Sequence, residues 1–179
     1  MTTTQAQQSG AQVLLDQALI EEATKKSGLI WVRGADGTSR ALWHVWHEGA
    51  ALVVGGPGEQ PLDGLGLTEG AAATVSVRSK DKGGRLVMWA AAVRELPPHG
   101  EAWTAAVAEL KGKRLNAPDA ERLEERWAEQ CRVLRLEPTG ETAALPSGSL
   151  AARPVPTAAT TRHPMPAALP RLLRGRGKR

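Results

Sequence analysis

Apolar and polar residues alternate between Leu29 and Leu96, and apolar residues recur every three to four positions on both sides of that stretch. The first pattern is that of strands, whose side chains point to two faces in turn; the second is that of helices. Leu15, Ala18, Leu19 and Ala23 form one stripe, which predicts a helix over 12–26. Lys25 and Lys26 suit its negative C-terminal end, and Gly28 suits its stop. Leu29–Arg33 predicts a first strand, and Asp36-Gly37 a hairpin turn. A second strand is expected over 38–47, a tight turn at Glu48-Gly49, and a third strand at Ala51–Val54, buried on both faces.

The six glycines and two prolines of 55–70 predict a long surface loop, either a lid over a site or a plain crossover. Thr74–Lys80 and Arg85–Leu96 then predict a long hairpin, with Val75 and Val77 facing inward. Trp103, Val107 and Leu110 mark a helix over 101–115. Asp119 is expected to cap a second helix carrying Leu123 and Trp127. Arg132–Leu136 predicts the last strand, ended by Pro138. The fold class is mainly β with flanking helices, an α+β domain of six strands.

Beyond Ala143 no apolar period survives, which sets three regions: a frayed 1–10, a domain over 11–143, and a disordered basic tail over 144–179. Of the 23 Lys and Arg, seven lie after Leu150 with no acid among them; the remaining 16 face 19 Asp and Glu. The net charge of +4 therefore belongs to the tail, and the domain is not expected to bind nucleic acid. The tail has two readings, a contact for nucleic acid or an acidic membrane surface, and a solubilising segment. No window predicts a membrane span, and the N-terminal residues do not read as a signal peptide. A single cysteine, Cys131, fits a cytoplasmic protein and a buried structural thiol.

Candidate chemistry concentrates in the second strand. Arg40, Trp43, His44, Trp46 and His47 lie within eight residues of a chain that has no Phe and no Tyr. His44 and His47 point to opposite sides of a strand, so they cannot share one metal ion, and no metal-ligand or nucleophile motif accompanies them. Arg78, Ser79, Lys80, Lys82 and Arg85 gather four cations and a hydroxyl at one hairpin, a composition that suits a phosphate. Were the two strands neighbours, Arg40, Arg78 and Lys80 would converge on one anion. Trp43, Trp46 and Trp89 would then supply a flat wall for a ring. The plain alternatives are a soluble hairpin tip and core tryptophans.

The stretches Asp36–Trp46, Ala51–Val54 and Ala73–Lys80, in this order of elements, resemble the flavin-binding split-barrel superfamily. Pyridoxamine 5'-phosphate oxidase-like proteins and deazaflavin-dependent reductases belong to it. The resemblance covers about residues 11–140. It implies a six-stranded Greek-key barrel, a homodimer, and FMN or the deazaflavin F420 in the groove between subunits. It also implies cofactor contacts from Arg40, Trp43 and His44 and from Arg78, Ser79 and Lys80. Three functions follow as expectations: a flavin- or deazaflavin-dependent oxidoreductase; a non-catalytic haem or cofactor carrier, with His44 as axial ligand; and a dimeric interaction protein that works through its tail.

Overall fold

The computed structural model describes residues 3–79, 84–115, 117 and 119–142; for 3–11 and 141 it describes the backbone. The elements are α1 (Thr3–Lys26), β1 (Ile30–Arg33), β2 (Ser39–Leu42), β3 (Val45–His47) and β4 (Ala50–Gly55). They continue with β5 (Ala72–Arg78), β6 (Arg85–Leu96), α2 (Glu101–Lys113), α3 (Leu123–Gln130) and β7 (Arg132–Thr142). The strands form one antiparallel sheet in the order β2-β1-β5-β6-β7-β4-β3. Its two edge strands, β2 and β3, are consecutive in the chain and separated by two residues. A sheet whose edges are tied that closely has to curl, and the result is a half-barrel.

Seven strands stand where six were expected, because the expected second strand is two. It breaks at Trp43-His44, where the chain leaves β1 and joins β4 on the far edge. The alternation survives the break. Leu42 and Trp46 pack in one apolar cluster, while Val45 and Trp43 pack in the other. The first cluster lies between α1 and the inner sheet face, with Ile20, Ile30, Val75, Val77, Trp89 and Leu134 at its centre. The second joins α2 and α3 to the outer side of β3, β4 and β7. β4 serves both: Ala51 and Val53 face the first cluster, Leu52 and Val54 the second. All its residues are buried, as its unbroken apolar run predicts.

The 55–70 segment is neither lid nor loose surface loop. Leu62, Leu65 and Leu67 are buried in the first cluster. The backbone of Leu65 runs so close to Gly34 that a Cβ there would meet its carbonyl oxygen at 1.8 Å. Glycine at 34 is what lets the crossover lie flat on the β1–β2 turn. β7 runs on past Pro138, which pairs with Ala91 of β6. The β4 partner strand ends opposite Leu136, so the missing proline N–H is not needed on that side. The α3 helix begins at Leu123 with Arg122 as its cap residue. Asp119 is not its cap; its carboxylate is taken by Arg126 instead. No described helix is long and apolar enough to cross a membrane. The tail from 143 onward lies outside the described residues.

Candidate functional site

The corner at Trp43-His44 lacks strand neighbours, so its backbone groups need other partners. The side-chain amide of Gln60 supplies them. Trp43 N–H donates to Gln60 Oε1 at 2.8 Å, and Gln60 Nε2 donates to Trp43 O at 2.9 Å. His44 Nε2 lies 3.0 Å from the carbonyl oxygen of Thr24 in the last turn of α1. A carbonyl only accepts, so Nε2 carries the ring proton. Nδ1 is buried and has no partner among the described residues. Protonating it would bury a second N–H without an acceptor.

Burial accordingly holds the His44 pKa below the ordinary value near 6.5, with the Thr24 bond working the other way. A base with a lowered folded pKa stabilises the fold fully above the unfolded value. That contribution fades as pH falls through the window below about 6.5, because the unfolded state then binds more protons. Wild-type stability should therefore drop between pH 7.5 and 5, and His44→Gln should lack that part of the drop. Urea unfolding at several pH values measures it; parallel profiles for the two proteins would refute the assignment.

Around this corner lies a pocket of about 690 Å³. Trp43, His44 and Trp46 line it from the sheet, Lys25, Ser27 and Gly28 from the end of α1, and Glu109, Lys113, Arg114 and Leu115 from the end of α2. Both helices point their C-termini at it, and Lys25 and Lys113 offset those negative ends. The pocket thus joins two indoles to three cations and one carboxylate. Its Trp46 ring stands edge-on to the buried Trp89, with centroids 6.3 Å apart.

Arg114 is held in place by Glu59, whose side chain is 0 % exposed. The Glu59 carboxylate accepts from Arg114 Nε at 2.9 Å, from Arg126 Nη2 at 3.0 Å and from the Trp127 indole N–H at 3.0 Å. Arg126 also binds Asp119 and the carbonyl oxygen of Pro57, and its bond to Asp119 holds that carboxyl below its usual range. Cys131 lies beside this network, buried, and its pKa is pushed up chiefly by burial.

The expected site residues fall in three places. Trp43, His44 and Trp46 meet at the pocket. Arg40 sits opposite Val32 on the inner face of the sheet, and its guanidinium donates to Pro61 O at 2.7 Å and Asp63 O at 3.1 Å. Arg78 lies on the outer face, stacked 4.4 Å over the Trp31 ring, and Arg85 is its Cα partner across the hairpin. Arg85 reaches back to the sulfur of Met88, and Ser79 N–H closes the turn on Gly84 O. Arg40 and Arg78 therefore do not converge, because β1 lies between their strands and they point to opposite sides of it. Trp89 belongs to the core rather than to a wall of the pocket. Lys80 and Lys82 lie outside the described residues. Sequence reasoning missed Glu109, Lys113 and Arg114; the only sign was a basic last turn on α2. Among the described residues no cluster of His, Cys, Asp and Glu can hold a metal ion.

No protein-family model and no curated protein sequence matches this chain. Its fold is similar to that of solved structures. A conserved hypothetical protein, Rv2991 from Mycobacterium tuberculosis, superposes with a TM-score of 0.51 at 14 % identity, over 75 % of this chain and 91 % of that one. HutZ, the haem storage protein from Vibrio cholerae, gives 0.49 at 12 % identity over 69 % and 90 %. A structure described as F420 reductase gives 0.43 at 19 % identity over 69 % and 94 %. The likeness is one of fold, the split barrel expected from the sequence.

Proposed function

We propose that this chain is a cofactor-binding split-barrel protein and that its cofactor is of the flavin type, FMN or a deazaflavin. The observation that carries the reading is the pocket itself, about 690 Å³ where Trp43 and Trp46 adjoin Lys25, Lys113 and Arg114. The indoles suit a tricyclic ring, and a cation at the pocket suits its phosphate. The cofactor would supply hydride chemistry, which makes an oxidoreductase the natural activity. The chain would bind the ring, shield it on the indole side and hold its anionic end.

His44 weighs against haem. Its Nε2 is engaged with Thr24 and its Nδ1 is buried, so neither nitrogen is presented to the pocket as a ligand. The phosphate is assigned to Lys25, whose one ion-pair partner among the described residues is Glu21, on the exposed side of α1. Arg114 already donates to Glu59, Gly58 O and Leu115 O.

Titration with FMN should quench flavin fluorescence through the nearby indoles. Lys25→Ala should weaken FMN about tenfold, the worth of one charge-assisted hydrogen bond, and leave riboflavin unchanged. Protein that takes up neither FMN nor the deazaflavin would overturn the reading. A Soret band on haem titration, lost in His44→Ala, would select the carrier instead.

A further inference from the structure

Glu109 and Lys113 stand four residues apart on α2, with the acid on the N-terminal side, which is the favourable order for an ion pair on a helix. On α1 the two pairs of the same type and order, Glu21–Lys25 and Glu22–Lys26, are both closed. Glu109 and Lys113 are not closed on each other, and neither has another ion-pair partner among the described residues. Both line the pocket. The pocket mouth therefore presents an acceptor-only carboxylate beside a donor-only ammonium. The ligand edge that matches such a pair carries an N–H next to a carbonyl oxygen. The imide of a pyrimidinedione ring, such as that of a flavin, carries this edge.

We propose that Glu109 and Lys113 read the imide edge of the bound ring, Glu109 accepting its N–H and Lys113 donating to the adjacent carbonyl oxygen. The inference rests on the flavin reading above and gives the ring a direction: imide at the α2 end, phosphate at Lys25 on the α1 end. It also separates the ligands chemically, since haem and apolar tricyclic rings lack the edge. Both residues are positioning residues for the ring and sit on the exposed face of α2, so their replacement leaves the core intact.

Riboflavin and its 3-methyl derivative, which lacks the imide N–H, are the probes, with binding read by fluorescence quenching. Wild type should bind riboflavin about tenfold more tightly than the methylated form, in line with one hydrogen bond to a charged group. Glu109→Ala should bind both equally, at about the weaker value. Lys113→Ala should weaken both probes alike and preserve their ratio. Riboflavin binding that Glu109→Ala leaves unchanged would overturn this inference while the flavin reading stands. A wild type that binds riboflavin and FMN not at all would overturn both.

Discussion

Replacing Glu59 with alanine should cost about 3–5 kcal/mol of stability, read as a large fall in the urea midpoint at unchanged slope. The reason is what the substitution leaves behind. The Glu59 carboxylate is fully enclosed and accepts from two guanidinium groups and an indole. Arg114 and Arg126 have side chains only 23 % and 17 % exposed, so water does not readily replace the lost charge. Arg126 keeps Asp119, but Arg114 keeps only the carbonyls of Gly58 and Leu115. Glu59→Gln should fall between, since an amide oxygen still accepts but brings no charge. The same variants should disturb the pocket, because Arg114 lines it and is aimed by Glu59. Unfolding free energies within about 0.5 kcal/mol of wild type for both variants would remove the network from any account of this fold.

Trp89→Ala should be as severe, about 3–5 kcal/mol, the usual cost of emptying an aromatic site in a close-packed core. Trp89 is 0 % exposed and stands at the centre of the first cluster, against Trp46. Trp89→Phe should cost under about 2 kcal/mol, less than the loss of ring area suggests. The indole N–H of Trp89 is buried and has no partner among the described residues. Phenylalanine removes that orphan donor along with the area, and the two effects oppose each other. Because Trp46 leans on Trp89 and also lines the pocket, the alanine variant should weaken FMN binding too. A Trp89→Phe variant as unstable as Trp89→Ala would show that the orphan donor has a partner after all.

Much of the domain is legible in one dimension. The alternation that assigns Leu42 and Trp46 to one side and Trp43 and Val45 to the other holds in three dimensions, even across a break in the strand. The break was invisible because Gln60, which supplies the hydrogen bonds of the corner, lies 17 residues further on. The 55–70 segment misled for a related reason. Its glycines and prolines read as a loose loop, yet Leu62, Leu65 and Leu67 are spaced to drop into the core once Gly34 lets the backbone approach. Asp119 is of the right type to cap a helix, but Arg126 is within reach of it and outcompetes the backbone.

The candidate site divides the same way. The aromatic corner could be found from composition, because Trp43, His44 and Trp46 crowd a chain otherwise poor in rings. Which cations face it could not. Arg40 is as basic as Lys25, and only the fold gives the first to the carbonyls of 61 and 63 and the second to the pocket.

Leu15 and Leu19 of the stripe expected on α1 are exposed and Ile20 is buried instead, but from its sequence alone this protein determines which stretches are strand or helix, which faces of the strands are apolar, and that tryptophan and histidine are concentrated in one stretch. These follow from side-chain periodicity, which needs no partner further off than a few residues. Tertiary structure alone decides which charge meets which group. A charge takes the nearest group that solvent leaves to it, and nearness here is set by a sheet whose first and last edges are two residues apart in the chain.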